Sequence, residues 1–246
     1  MSIETYGTGE RLRVAARLSV PFGIERRIVL LPVPSTRDGV TVTSTDVPLS
    51  DAFRDPSDGT FIFGYGLPPD LAESARRAGA AVTDLALDEE YLSENAELTA
   101  LGTAGYILTT SKSAPADLSL GIIGYGRIGS RLARLLLFFG ARVRVYTSRE
   151  SVRRELCTAG VDAEDSPPSD LSGIDILINT APTDMSDKFS HGVPLGMRLL
   201  ELASGNNFGE LEGVERLPAL PERLFPESAG RTYAAALKRV ILGGGV

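Results

Sequence analysis

Three features of the 246-residue sequence predict an α/β protein built on doubly wound parallel sheets. Short apolar runs without alternation recur along the chain, and stretches of helical period separate them. One such run also passes straight through a glycine-rich turn into the strongest of those helices, S-L-G-I-I-G-Y-G-R-I-G-S-R-L-A-R-L-L-L-F-F at 119–139. A strand buried on both faces loses the polar/apolar alternation of a half-exposed one, so unalternating runs joined by helices imply a parallel sheet covered on both sides.

R-I-V-L-L-P-V-P (27–34), T-F-I-F-G (60–64) and A-A-V-T-D-L (80–85) are read as the first strands. Between the last two lies P-P-D-L-A-E-S-A-R-R-A-G, a helix with prolines at its entrance and Gly79 at its exit. A longer helix is expected from near Leu92 or Asn95 to about Thr109. Further strands are expected at 119–123, 142–146, 174–179 and 197–203, with a weaker one at 213–217, while D-A-E-D-S-P-P-S-D (162–170) reads as a loop. Arg142 and Arg144 share one side of their strand, which points to an edge or near-edge position. The last helix starts at Pro226. Residues 1–102, completed by the C-terminal helix in 226–246, form a smaller flavodoxin-like α/β domain on this reading, and 103–225 form the doubly wound domain.

Gly124, Gly126 and Gly129 make G-x-G-x-x-G after a strand and before a helix, the context of a Rossmann dinucleotide-binding turn. The first glycine allows the tight turn, the second lets the backbone approach a pyrophosphate, and the third permits close helix packing. With the intervening Tyr125, Arg127 and Ile128, they are the first cofactor candidates. The next strand ends at Tyr146, where an NAD enzyme usually carries an acid for the ribose 2′-hydroxyl; here Thr147-Ser148-Arg149 follows. Two hydroxyls and a guanidinium suit a 2′-phosphate, so NADP is favoured and NAD is the alternative. Asn179, Thr180, Ala181 and Pro182, ending a later strand, are expected on the nicotinamide side.

Composition narrows the partners. A net charge of −7 disfavours nucleic acid, and the longest apolar run, Leu135 to Phe139, is too short for a membrane span. One cysteine, Cys157, excludes an intrachain disulfide and a multi-cysteine metal site, and it reads as a buried structural thiol. No metal is expected. The start lacks a signal-peptide pattern, so a cytoplasmic location is expected. His191, the only histidine, lies in a polar loop and reads as solvated rather than as a general base.

Further stretches carry a family resemblance: L-P-V-P-S-T-R-D-G-V (31–40), T-D-V-P-L (45–49), N-A-E-L-T-A-L-G (95–102), I-N-T-A-P (178–182), E-L-A-S (201–204) and L-P-A-L-P-E-R-L-F-P-E-S-A-G (217–230). In order and spacing, together with the glycine turn, they resemble the A chain of dipicolinate synthase and its shorter relatives in sporulating bacteria. The resemblance implies a two-domain oxidoreductase that passes hydride from a cyclic tetrahydrodipicolinate-type dicarboxylate to a nicotinamide cofactor. That family is normally accompanied by a second, flavoprotein-like subunit, and a homodimer is a further expectation. The chain departs from the family pattern at Leu101, where a glutamate is usual, and at Ala219 and Glu222, where glycines are usual. Residues 1–26 have no clear counterpart of the family's N-terminal strand and helix.

For the substrate, Arg37 offers a bidentate fork beside the hydroxyls of Ser35 and Thr36, and Thr99 completes the candidate set. Asp38, water or a partner subunit is expected to accept the proton. The competing reading is a catalytically lapsed dinucleotide-binding partner subunit, to which the three departures point. A D-2-hydroxyacid dehydrogenase is disfavoured, because Ser204-Gly205 stands where those enzymes need an arginine and no histidine follows residue 191.

Overall fold

The computed structural model describes residues 2–19, 26–167, 171–189 and 193–243; His191 lies outside them. In chain order the elements are β1 (Ser2–Thr5), α1 (Glu10–Ser19), β2 (Arg27–Leu30), β3 (Thr60–Gly64), α2 (Pro69–Arg77), β4 (Ala81–Asp84) and α3 (Glu89–Thr110). Then follow β5 (Ser119–Ile123), α4 (Arg127–Phe138), β6 (Arg142–Tyr146), α5 (Glu150–Thr158), β7 (Asp162–Glu164), β8 (Ile176–Asn179), β9 (Arg198–Glu201), β10 (Val214–Arg216), α6 (Leu220–Leu224) and α7 (Pro226–Gly243). Two compact units result: Met1–Leu98 with Pro221–Val246, and Thr99–Leu220.

The first unit holds a parallel sheet in the order β1-β2-β3-β4. Its central strands are apolar on both faces, as expected of a covered sheet. Ile28, Leu30, Phe61 and Phe63 pack with Leu12, Tyr233 and Leu237 on one side, while Val29, Leu31 and Ile62 pack with Leu49, Ala72 and Ala75 on the other. The Tyr233 hydroxyl of α7 reaches the carbonyls of Leu31 and Phe63, each 3.0 Å away, which satisfies a buried phenol at the ends of two strands. Gly230 lets α7 close on α1, since a Cβ there would collide with the Val14 side chain.

Residues 2–19 correct the sequence reading, for they form a strand and helix where none was expected. The strand S-I-E-T carries a single apolar residue and lies at the sheet edge, so its sequence signal is nearly absent. The long helix starts at Glu89, earlier than expected, because the Asp88 carboxylate accepts from the Tyr91 N–H at 2.9 Å and caps it.

The second unit holds a parallel sheet in the order β10-β9-β8-β5-β6-β7, wound in both directions from β5. This is the Rossmann arrangement. Residues 162–164, read as loop, are its edge strand β7, paired in parallel with β6. Arg144 bridges to Asp162 at 3.4 Å and to Glu164 at 3.5 Å, so the charges that disguised the strand help to hold it. Cys157 is exposed, not buried. The inward position of α5 is Leu156, and one residue further the helix has turned about 100° toward solvent.

Two local features yield predictions. Arg198 clamps Glu215 through two hydrogen bonds of 2.7 and 2.8 Å, and the Tyr106 hydroxyl donates to the same carboxylate at 2.7 Å. Arg198 is the main cause that holds the Glu215 carboxyl below its ordinary value of 4.5. The stability it contributes is therefore present above that value and lost as pH falls through the lower folded one. Glu215→Gln should cost about 1 kcal/mol at pH 7 and should lessen the acid-induced loss below pH about 4.5, measured by denaturant titration across pH. Ala219 sits at φ +53°, a left-handed conformation that its Cβ disfavours. Ala219→Gly should raise stability by about 1 kcal/mol, read as an increased urea midpoint at constant slope.

Candidate functional site

The second unit gathers three sequence segments at the carboxyl ends of β5, β6 and β8. Gly124, at φ +91°, turns the chain out of β5, and a Cβ on it would meet Thr180 Oγ1 at 2.8 Å and Ala181 Cβ at 3.0 Å. A Cβ on Gly129 would collide with the Gly124 carbonyl oxygen, so the first turn of α4 can pack here only with glycine. At Gly126, by contrast, a Cβ would meet nothing within 4 Å. Gly126 is also the N-cap of α4, and no side chain caps the helix. The first-turn N–H groups and the positive end of the helix dipole thus face open space, which suits a pyrophosphate.

Tyr125 and Ile128 are half-buried at the rim of this turn, and Arg127 is exposed. Arg149, at the N-cap of α5, reaches back so that its Nη2 donates to the Tyr125 carbonyl. The structure thus brings the end of β6 to the glycine turn. Thr147 is buried; its N–H donates to the Glu164 carbonyl at 2.9 Å, and its carbonyl accepts from Arg153 Nη1 at 2.6 Å. Ser148 is exposed beside it. No carboxylate occupies the first three positions after β6.

At the end of β8 the Thr180 hydroxyl donates to the Ile123 carbonyl at 2.9 Å, fastening this segment to the turn. Asn179 itself is fully buried. Its Nδ2 donates to Glu201 Oε1 at 3.0 Å, and its Oδ1 accepts from the Ala181 N–H at 3.1 Å. It therefore shapes the turn 180–182 from beneath. Glu201, at the end of β9, is the residue that sequence reasoning missed. Only 4% exposed, it also accepts from the Ala203 N–H at 3.0 Å and from Asn207 Nδ2 at 3.3 Å. Burial pushes its carboxyl above the ordinary value, against the pull of these donors. The available signal was a lone acid at the end of the apolar run M-R-L-L-E-L-A.

The substrate candidates of the first unit lie in the loop after β2. Ser35 is buried, accepting from the Tyr65 N–H at 2.7 Å and donating to the Pro32 carbonyl at 3.1 Å, so its hydroxyl ties two strand ends together. Thr36 Oγ1 donates to Asp38 at 3.0 Å and accepts from the Gly39 N–H at 2.9 Å. Arg37 is exposed and makes no hydrogen bond or ion pair among the described residues. Thr99 is buried on α3, where its carbonyl accepts from the Thr103 hydroxyl at 2.8 Å. Leu101 is 40% exposed on the same helix. Asp38 is corrected as a proton acceptor. Hydrogen bonds from the Thr41 N–H and hydroxyl and from the Val40 N–H hold its carboxyl far below the ordinary range, making it a weak base. No group of three or more metal-ligating side chains exists among the described residues, and no helix among them is long and apolar enough to cross a membrane.

Fold and turn together define a two-unit α/β protein whose second unit has a dehydrogenase-like Rossmann fold. Residues 103–189 match the family model described as D-isomer specific 2-hydroxyacid dehydrogenase, NAD binding domain. The whole chain is similar in structure to the A chain of dipicolinate synthase from Bacillus halodurans, with a TM-score of 0.79 and 18% identity, covering 97% of this chain and 97% of that one. It is similar also to the A chain of dipicolinate synthase from Bacillus subtilis, with a TM-score of 0.75 and 21% identity over 98% and 95%. The apo D-lactate dehydrogenase of Escherichia coli is more distant, with a TM-score of 0.60 and 14% identity over 100% and 98%. At these identities the likeness establishes the fold. No curated protein sequence matches.

Two glycines of the turn should separate experimentally. Gly129→Ala forces its new methyl against the Gly124 carbonyl and should lower the melting temperature by several degrees. Gly126→Ala has room and should leave stability within about 1 kcal/mol of the unsubstituted protein, yet weaken dinucleotide binding in calorimetry.

Proposed function

We propose that the chain is an NADP-preferring oxidoreductase that oxidises a cyclic dicarboxylate of the tetrahydrodipicolinate type. The observation that carries the cofactor preference is Arg149, bent back onto the glycine turn at the end of a strand that lacks the usual acid. A guanidinium there favours a 2′-phosphate, and no neighbouring carboxylate at 147–149 repels one. Gly124 to Gly129 would hold the pyrophosphate, and Thr180 to Pro182, shaped by Asn179, would line the nicotinamide side. When bound, the nicotinamide supplies the hydride acceptor.

The protein's remaining tasks are to bind the two carboxylates and to dispose of a proton. Taking a tetrahydro ring to the aromatic one removes a hydride and a proton twice, by way of a dihydro ring, and each removal consumes one oxidised nicotinamide; with Asp38 spent on its own turn, the protons pass to water. Exposed Arg37 offers a charged fork to one carboxylate. The similarity to the A chain of dipicolinate synthase supports the substrate class, and with it go a flavoprotein-like partner and a cytoplasmic location. Leu101 favours a second reading, a binding subunit without turnover, since an alkyl group there can move no proton.

NADPH should bind at least tenfold more tightly than NADH, a difference of about 1.4 kcal/mol, and Arg149→Ala should remove most of it in calorimetry. Equal affinities in the unsubstituted protein would defeat the preference. Reduction of NADP by a dihydrodipicolinate, followed by the absorbance of the reduced nicotinamide with and without the flavoprotein-like partner, separates enzyme from binding subunit. Arg37→Ala should raise KM more than it lowers kcat.

A further inference from the structure

The first unit contains a second glycine turn, and beside it stands a buried cation that forms no ion pair among the described residues. Y-G-T-G-E-R (6–11) leads from β1 into α1, with Gly7 at φ +113°. Arg11, in the first turn of α1, is 2% exposed. Its Nη1 donates to the Tyr91 hydroxyl at 2.9 Å, its Nε is buried with no acceptor, and it forms no ion pair among the described residues. Its neighbours Arg13 and Arg17 on the same helix are both paired, to Glu10 and Glu227.

Tyr91 does not neutralise this charge. The phenol is 1% exposed and burial pushes its pKa up, so it remains an uncharged acceptor. A buried guanidinium that keeps its charge needs an anion, and a protein that leaves one bare has a destabilised interior there unless a ligand completes it. Position supports the ligand. Arg11 opens the helix after β1, Tyr91 lies at the start of the helix after β4, and Tyr65 follows β3, with its ring 6.4 Å from that of Tyr91. All three stand at the carboxyl ends of neighbouring or near-neighbouring parallel strands of one sheet.

We infer that Arg11, together with the N-terminal turn of α1, forms a carboxylate-binding subsite of the first unit, and that the half-exposed Tyr65 ring offers a wall for a planar or cyclic ligand. Glu222 stands over it. A Cβ on Gly9 would collide with its Oε1, so its carboxylate rests against the glycine turn without pairing to Arg11. A ligand carboxylate must displace or tolerate that charge, which makes Glu222 a restraint on affinity. This subsite deepens the dicarboxylate reading and rests on it only for the choice of the first probe.

Calorimetric titration of the full chain with dipicolinate, and separately with malate and 2-oxoglutarate, tests the subsite. Arg11→Met should weaken binding at least tenfold, about 1.4 kcal/mol, and Glu222→Gln should tighten it several-fold. Without ligand, Arg11→Met should melt at the same temperature as the unsubstituted protein or higher, since it removes an uncompensated buried charge; an unchanged circular dichroism spectrum reports that it folds. Arg11→Lys, which keeps the charge but loses the fork, serves as the second variant and should weaken binding less. Dipicolinate affinity that neither Arg11 variant alters would overturn the subsite while leaving the proposed substrate intact. Arg11-dependent binding of the acyclic acids alone would uphold the subsite and overturn the substrate. If no carboxylate binds, or if Arg11→Met melts lower with ligand affinity unchanged, Arg11 is structural and the subsite is rejected. Unchanged or weakened binding in Glu222→Gln would remove Glu222 from it.

Discussion

The contact between Gly129 and the Gly124 carbonyl is the constraint on which the second unit depends. With hydrogen at both Cα atoms, α4 can begin directly above the end of β5, and at Gly126, its N-cap, no described atom lies within 4 Å of where a Cβ would stand. The same closeness fixes Thr180 against the turn, because its hydroxyl finds an acceptor only in the carbonyls that the turn presents. The Gly124 N–H donates to the Tyr146 carbonyl at 2.8 Å and adds the end of β6, so three strand ends meet at the turn. Apolar packing of Leu120, Ile122, Val143, Val145, Ile176 and Ile178 then holds their bodies together.

Buried polarity is handled in three ways in this chain. Glu215 is matched by Arg198 and Tyr106, and its charge stabilises the native state. Glu201 accepts hydrogen bonds from neutral donors, with Arg216 adding a smaller Coulombic pull, and burial raises its pKa; it orients Asn179 and Asn207. Arg11 is matched by one phenol oxygen and nothing else among the described residues. Among the described residues Arg11 Nε is one of five buried side-chain polar atoms without a partner, with Thr43 Oγ1, Ser111 Oγ, Tyr146 Oη and Arg198 Nη1; Arg198 has Glu215 as its ion pair, whereas Arg11 is the cation in this set without one.

Turns show a similar division of labour. Asp38 and Thr36 spend their polar groups within the loop and Ser35 spends its hydroxyl on the Pro32 and Tyr65 backbone, while Arg37 makes no hydrogen bond or ion pair among the described residues. Ala219 keeps a left-handed backbone that a glycine would adopt at less cost, so the turn geometry before α6 persists although the residue that eases it is absent.

Periodicity and turn chemistry by themselves determined the α/β class, the strands β2 to β6 and β8 to β10 with end shifts of a few residues, the terminal helix and the glycine turn. Each of these is encoded locally: apolar runs, proline at a helix entrance and glycine at an exit have their meaning within a few residues. Tertiary structure alone decided the edge strands β1 and β7, whose short polar sequences become strands only because a neighbour offers a row of free backbone groups. It also decided that Cys157 faces out, that Asn179 lies beneath the turn it ends, that Glu201 is buried at its side, and that Arg11 is sealed off from water. Burial depends on what covers a residue from distant parts of the chain. A sequence pattern specifies which side of an element is apolar, and only packing decides which polar groups are enclosed with it and what is left for them to bind.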